Sequence, residues 1–322
     1  MHQNIKIAVA PMEGIMDHTL RQLLSEVGGM DYFVSEFVRV TQYPIPSHTF
    51  HRLIPENTQG ATTKHKHPVH TQLLGSVPDL MALSAANAIE SGSTHIDVNF
   101  GCPAKRVNGH GGGSVLLQSP NTLYDIMSTI KKAIPSHIPL SAKIRLGYED
   151  ESRLFENVSA IELAGTQSLT IHGRTKKDGY RPPARWEKIG KVKEHSKMKI
   201  IANGDITSTK SLLSCLNETK CSHFMIGRGV LINPFIFQDI KSELSGHKPL
   251  DHSKELEALL TRYIHILQQH YDEVATLGRL KQWCGNLRHQ FIVIEENLTS
   301  LRQSQSVDEF INKLASMSNA IK

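Results

Sequence analysis

Eight short apolar runs of strand length recur through the first two-thirds of the chain, with helical patterns filling most of the gaps. The runs are Ile5–Pro11, Tyr32–Val38, Val69–Gly75, His95–Phe100, Leu140–Leu146, Leu169–Gly173, Met198–Gly204 and His223–Gly227. Helical patterns cover Thr19–Val27, Leu80–Glu90 and Leu154–Ala164, and Ser119-Pro120 opens another, with Ser as N-cap and Pro at the first helical position. Alternation of strand and helix predicts a parallel sheet. Eight such units in roughly 240 residues fit a closed (β/α)8 TIM barrel better than an open sheet. The connection Arg39–His67 is long and rich in His and Pro, which reads as a functional loop or insertion rather than a tidy helix.

Beyond Lys241 the pattern changes. Gly246-His247-Lys248-Pro249 reads as a linker, and the rest as helix. Leu256, Leu259, Leu260, Tyr263, Ile264 and Leu267 follow the helical period, as do Val307, Phe310, Ile311, Leu314 and Met317. Ser306 and Glu309 have capping-box spacing. The expected organisation is a catalytic barrel over 1–245 and a small C-terminal helical bundle over 246–322.

An apolar share of 39% with 21% charged residues excludes disorder as the default. No run approaches the ~18 apolar residues that would span a bilayer, and the N-terminus lacks the pattern of a signal peptide. A cytoplasmic protein, and a monomer, is expected. Cys102, Cys215, Cys221 and Cys284 form no CxxC pair, so reduced thiols without metal are expected. His65, His67 and His70 read as an exposed loop entering a strand rather than as metal ligands. The formal charge of +5 hints at a polyanionic partner.

In a barrel of this kind the active site lies at the C-terminal ends of the strands. Those ends carry Pro11-Met12-Glu13, Glu36, Gln72, Asn99 with Cys102, Lys143 with Arg145, His172, Asn203-Gly204-Asp205 and Gly227-Arg228. Gly204 and Gly227-Arg228-Gly229 follow the last two strands. That is the usual phosphate site of the fold, where small residues admit an anion to backbone N–H groups. Two tight turns requiring glycine would leave the same trace. The run Gly109-His110-Gly111-Gly112-Gly113-Ser114 lacks both the Gly-Lys-Ser/Thr ending and GxGxxG spacing, so it reads as a flexible active-site loop.

Taken together, Ala10-Pro11-Met12-Glu13-Gly14, Gln72-Leu73-Leu74-Gly75, Asp97-Val98-Asn99-Phe100-Gly101-Cys102-Pro103, Lys143-Ile144-Arg145, His172-Gly173-Arg174-Thr175, Asn203-Gly204-Asp205 and Ile226-Gly227-Arg228-Gly229 resemble the tRNA-dihydrouridine synthases. The resemblance covers every strand end in order and extends into the tail. Ser35-Glu36-Phe37-Val38-Arg39-Val40 and Gly278-Arg279-Leu280-Lys281-Gln282-Trp283 resemble its bacterial C branch, which implies modification of U16 in the D-loop. Ala104 stands where Ser is common, and Lys176 where Arg is frequent.

The resemblance implies bound FMN, NADPH as electron donor and tRNA as substrate. The uracil C5=C6 bond, conjugated to the C4 carbonyl, would accept hydride at C6 from flavin N5, and Cys102 would protonate C5 as a thiol acid. A depressed pKa would hinder that role. Pro11, Met12 and Glu13 would line the flavin ring, Gln72 and Lys143 would hydrogen-bond its polar edge, and His172 would sit beside it. Asn203, Gly204, Asp205, Gly227 and Arg228 would hold the phosphate. Contacts with tRNA are expected at Arg39, Asn99, Arg279, Lys281 and Arg288.

The basic excess is uneven, net −1 from Leu250 onward and +6 before it. Arg174, Lys176, Lys177, Arg181 and Arg185 crowd the loop after the sixth strand with only Asp178 opposing them in that stretch, and Tyr180 stands ready to stack or hydrogen-bond RNA. Three other readings stay open: a flavoenzyme reducing a free pyrimidine or small enone, a flavin-free isomerase barrel, and a tRNA-binding factor without catalysis.

Overall fold

The computed structural model describes residues 5–248 and 251–319; Pro249, at the end of the expected linker, lies outside them. Among the described residues nine parallel strands form one sheet: β1 Lys6–Val9, β2 Tyr32–Val34, β3 Val38–Arg39, β4 Val69–Leu74, β5 Ile96–Phe100, β6 Leu140–Arg145, β7 Ser168–His172, β8 Lys199–Asn203 and β9 His223–Ile226. The order is β2-β1-β9-β8-β7-β6-β5-β4-β3, and a β2–β4 pairing closes it into an eight-stranded (β/α)8 barrel with β3 as an added edge piece. All eight apolar runs form strands. The second breaks in two, because Ser35–Phe37 leaves the ladder while Val38 rejoins it opposite Leu73.

The expected helices form at His18–Val27, Pro78–Glu90 and Leu154–Leu163. Pro120–Ala133 starts with Pro at its first turn as expected, but the Ser119 hydroxyl meets the Thr122 hydroxyl at 2.8 Å instead of capping a backbone N–H. The Arg39–His67 connection corrects a sequence expectation, since it carries a helix at Ser47–Leu53 and a 3-10 turn at Pro55–Gln59. Phe50 is fully buried there, and one apolar anchor in a polar segment is too weak a periodicity to read.

The chain forms two compact units. One holds the strands and comprises the chain up to His18, Met30–Ile206 and Lys210–Gly227; the other comprises Thr19–Gly29, Thr207–Thr209 and the chain from Arg228. The second unit contains four helices beyond the linker, Ser253–Gln268, Glu273–Leu287, Ile292–Gln303 and Val307–Asn319. Leu256, Leu259, Leu260, Tyr263, Ile264 and Leu267 are all buried, and the Tyr263 and Trp283 rings meet edge-on at 5.0 Å. Glu309 N–H donates to Ser306 Oγ at 3.1 Å as a capping box requires, while the Glu309 carboxylate accepts from Gln305 N–H, one residue before the expected donor.

The strand period of two sorts the inside of the barrel into two sectors. Ala8, Ala10, Val34, Ile201 and Met225 make a small apolar cluster on one side. On the other, cross-strand pairing sets Gln72 beside Asp97, Asn99 beside Lys143, and Arg145, His172 and Asn203 in one row. A barrel core of this kind is normally filled by branched aliphatic side chains. A polar sector at its mouth is therefore a feature that packing alone does not call for.

Candidate active site

Cys102 sits on the turn that leaves β5. Its backbone N–H and that of Gly101 both donate to Asn99 Oδ1 at 2.9 Å. Asn99 Nδ2 donates to Gln72 Oε1 at 2.9 Å, and Gln72 Nε2 donates to Asp97 Oδ2 at 2.7 Å. Ser141 Oγ donates to the other Asp97 oxygen, so His95 Nε2, 2.9 Å from Ser141 Oγ, is the donor of that last pair. His95 then stacks on His70 at 3.6 Å, and His70 on Tyr32 at 4.4 Å. A continuous polar column thus runs down one side of the barrel beneath the cysteine turn.

The carbonyl side of that turn is equally fixed. Arg145 Nε donates to Gly101 O at 2.9 Å, Asn108 Nδ2 to Cys102 O at 3.0 Å, and Ser114 N–H to Cys102 O at 3.1 Å. Of the glycine run read as a flexible loop, Gly109, His110 and Gly111 are exposed, while Gly112, Gly113 and Ser114 are buried against the turn. Gly113 has φ +68°, and a Cβ there would lie 2.8 Å from Cys102 O, so glycine is required both by conformation and by approach.

The Cys102 side chain is buried with Leu74 and Val107, and Phe37 and Ala104 pack against the cluster. Burial pushes its pKa up; the Ala104 backbone hydrogen bond opposes this, the Glu13 charge adds to the rise, and Arg145 and Arg39 oppose it more weakly. The group is a thiol at neutral pH. All four cysteines are free and buried.

Lys143, beside Asn99 in register, donates to Asn203 Oδ1 at 3.0 Å, and Asn203 Nδ2 in turn donates to Met225 O at 2.8 Å. Burial, with help from the neighbouring Arg145 charge, lowers the Lys143 pKa to about 8, while Asp97 works in the other direction. Three ammonium donors with one protein acceptor suit an anionic or carbonyl-bearing ligand. His172 Nε2 is 3.2 Å from Arg174 Nη1, which leaves Nδ1 as the protonated nitrogen. Arg174 is buried and ion-paired with Asp205, whose carboxylate also accepts from Ala184 N–H at 2.7 Å. Gly204 (φ +118°) and Asp205 (φ +54°) form consecutive left-handed turns, and a Cβ on Gly204 would come within 3.0 Å of His172 and Ala184.

Pro11 and Met12 are half-buried at the end of β1, Glu13 is exposed, and a Cβ on Gly227 would lie 3.8 Å from Met12 Sδ. The β1 and β9 ends therefore adjoin. Arg228, exposed, begins the helix Arg228–Ile232 of the second unit. Exposed Tyr180 lies near the His172 ring, at 6.3 Å, and 5.3 Å from the Arg145 guanidinium carbon. Arg39 donates to Arg106 O at 3.3 Å. Arg279, Lys281 and Arg288 belong to the helical unit. The Arg279 guanidinium lies 4.2 Å from the Tyr271 ring centroid, Lys281 donates to Ser304 O at 2.6 Å, and Arg288 Nε is buried without a hydrogen-bond partner.

Arg145 is the residue to which the sequence reading gave no role. Besides Gly101 O, it donates to Thr175 O and Gly179 O at 3.0 and 2.9 Å, joining the cysteine turn to the loop after β7. Its spacing of two from Lys143 on a strand places both on one face, which is the signal that would have found it. Among the described residues no cluster of His, Cys, Asp and Glu could hold a metal ion, and no helix is long and apolar enough to cross a membrane.

Solved structures share the fold. A 2-naphthoyl-CoA reductase complex superposes with TM-score 0.55 at 13% identity, covering 77% of this chain and 53% of that one. Histamine dehydrogenase from Rhizobium sp. 4-9 does so with TM-score 0.56 at 13% identity, covering 82% and 49%. The chain thus spans about half the length of these proteins. The fold is a (β/α)8 barrel whose strand ends carry a buried thiol, Cys102, and two basic residues, Lys143 and Arg145. The family model for dihydrouridine synthase (Dus) matches residues 8–320, and the chain belongs to that family of flavin-dependent enzymes, which reduce uridine to dihydrouridine. It is 40% identical to the tRNA-dihydrouridine(16) synthase of Shewanella oneidensis over 96% of this chain and 97% of that one. The enzymes of the same name from Neisseria meningitidis serogroup B and Salmonella typhimurium are each 38% identical, covering 97% and 92% of this chain and 95% of each relative.

Proposed function

We propose that the protein reduces the uridine at position 16 of tRNA to 5,6-dihydrouridine, with bound FMN, NADPH as electron donor and Cys102 as the acid. The observation that carries this reading is the Cys102 thiol, kept protonated by burial on a turn whose amides and carbonyls are all held. The near full-length likeness to synthases named for position 16 supports the choice of uridine.

The residues present fit a flavin mononucleotide. Lys143 offers an ammonium to the ring's polar edge, and the β1 end with Ala10, Pro11, Met12 and Glu13 provides a mostly apolar floor; Gln72, fully buried and bonded to Asp97 and Asn99, would have to exchange partners to reach the ring. His172 would flank the ring, and the turns at Asn203-Gly204-Asp205 and Gly227-Arg228 would take the phosphate. Flavin, when bound, supplies hydride to uracil C6. The protein's own part is to protonate C5 from the Cys102 Sγ–H, and the raised thiol pKa then favours recovery of that proton from solvent. Lys143 stabilises negative charge in the site, and Asn99 holds Cys102 in place to meet C5.

In this reading 1–245 is the catalytic domain and 246–322 assists tRNA binding, and the protein works as a cytoplasmic monomer. Arg39, Asn99, Tyr180, Arg279 and Arg288 are the proposed RNA contacts; Lys281, already committed to Ser304, would have to exchange partners. The test is to supply purified protein and NADPH with either free uracil or tRNA lacking dihydrouridine. Turnover on tRNA alone supports the reading. Equal turnover on uracil favours a small-molecule reductase, and a protein that neither retains nor takes up flavin contradicts both.

A further inference from the structure

The positive charge available to RNA is not where the sequence concentrates it. In the loop after β7, buried Arg174 pairs with Asp205, Lys177 lies 3.6 Å from Glu149, and Arg185 pairs with both Asp178 and Glu151. Lys176 rests on the Tyr148 ring, and Arg181 donates to the backbone carbonyls of Lys177 and Asp178. Four carboxylates therefore answer five cations there, three of them contributed from outside the loop.

The turn behind Cys102 is different. No Asp or Glu occurs between Asp97 and Asp125, while Lys105, Arg106 and His110 all fall in that stretch. Lys105 and Arg106 are exposed, on the short helix Lys105–Asn108, and neither joins an ion pair among the described residues. Of the strand-end carboxylates, Glu13 acts on the Cys102 thiol and Glu36 accepts from Gly14 N–H. The helix is also rigidly joined to the acid. Asn108 Nδ2 donates to Cys102 O and Ala104 O, and Arg106 O accepts from Arg39 at 3.3 Å and from His110 Nδ1 at 2.7 Å.

We propose that Lys105 and Arg106 bind the RNA phosphates flanking the uridine that enters the active site. This rests on the tRNA reading above. A uridine in folded tRNA is partly stacked and must be extruded to reach a buried thiol. Cations three and four residues after that thiol would hold the strand beside the extruded base. Seating of the phosphates and alignment of C5 with Sγ are then one event.

The experiment measures tRNA affinity against salt for wild type, Lys105→Gln, Arg106→Gln and the control Lys177→Gln, whose cation is already paired. Each of the first two should lower the log–log salt slope by about one and weaken binding roughly 5- to 10-fold near 0.1 M salt. Turnover at saturating tRNA should fall along with affinity in the two Gln variants while the flavin spectrum stays unchanged, Lys105→Arg and Arg106→Lys should restore both slope and turnover, and Lys177→Gln should barely alter either. Unchanged slopes in both Gln variants, with wild type binding and modifying tRNA normally, overturn this proposal alone. A wild-type protein without salt-dependent tRNA binding overturns the tRNA reading with it.

Discussion

The Cys102 amide donates to the side-chain carbonyl of Asn99, three residues earlier, and the Gly101 amide shares that acceptor, both at 2.9 Å. The penultimate residue of β5 thereby fixes the turn that carries Cys102. Misplacing a reacting group by about 1 Å costs up to ~10²-fold in rate. Asn99→Ala should slow oxidation of reduced flavin by tRNA roughly 10- to 100-fold with flavin content retained. Asn99→Asp, which keeps the oxygen that accepts from both amides but loses the donor to Gln72, should recover part of the loss. Equal rates in Asn99→Ala and wild type would remove Asn99 from the positioning of Cys102.

Replacing the acid itself should cost more. General acid catalysis contributes ~10²–10⁴ in rate, so Cys102→Ala should lower uridine reduction by about that factor, roughly 3–5 kcal/mol of barrier. Reduction of the flavin by NADPH should continue, because Cys102 takes no part in it. Single-turnover assays of the two half-reactions separate these outcomes, and a variant slow in both would point to a damaged flavin site instead.

The Lys143 pKa, lowered to about 8, gives flavin binding a pH dependence. An anionic ligand favours the ammonium, so its binding raises that pKa, and affinity should be constant below pH 8 and fall above it, up to tenfold per unit. Titrating apoprotein with FMN from pH 6.5 to 9.5 tests this, with Lys143→Met expected to bind weakly and with little pH dependence. A wild-type affinity flat across the range would show that Lys143 does not meet the flavin as a cation.

Beneath the site, burial lowers His95 to about 4, with Lys199 adding to the shift, and burial takes His70 well below its ordinary value. Both rings are neutral in the folded protein. Between about pH 6.5 and pH 4 the unfolded chain binds protons that the folded chain refuses, so stability falls as pH falls through that window. The loss is ~1.4 kcal/mol per unit for each group, or roughly 3 kcal/mol in all from His95. Urea midpoints should drop markedly from pH 7 to pH 5, and less in His70→Phe, which keeps a ring in the stack. A midpoint independent of pH would contradict a neutral buried pair.

The barrel was legible because its signal is short-range: eight apolar runs at strand length announce themselves without tertiary information. Cys102 and Asn203 stood out beside turn residues, and Gln72 and Lys143 as polar residues among the last three of otherwise largely apolar strands. What escaped depended on three-dimensional pairing. Asp205 reads as a phosphate-turn residue, yet its carboxylate belongs to Arg174 and the Ala184 amide. The loop after β7 reads as strongly basic because Glu149 and Glu151, which neutralise it, precede it by more than twenty residues. The close approach of Gly113 to Cys102 O was likewise hidden within a glycine run that gives no sign of which glycine makes it.

The central claim is that Cys102 completes the reduction of one uridine in tRNA. It is tested most directly by mapping dihydrouridine at each uridine of a tRNA that starts without it, after incubation with NADPH and either wild-type or Cys102→Ala protein of equal flavin content. The account predicts conversion at position 16 alone with wild type, and at least a hundredfold slower appearance there with the variant. Conversion at the same rate by the variant, or by wild type at other positions with position 16 untouched, would contradict it.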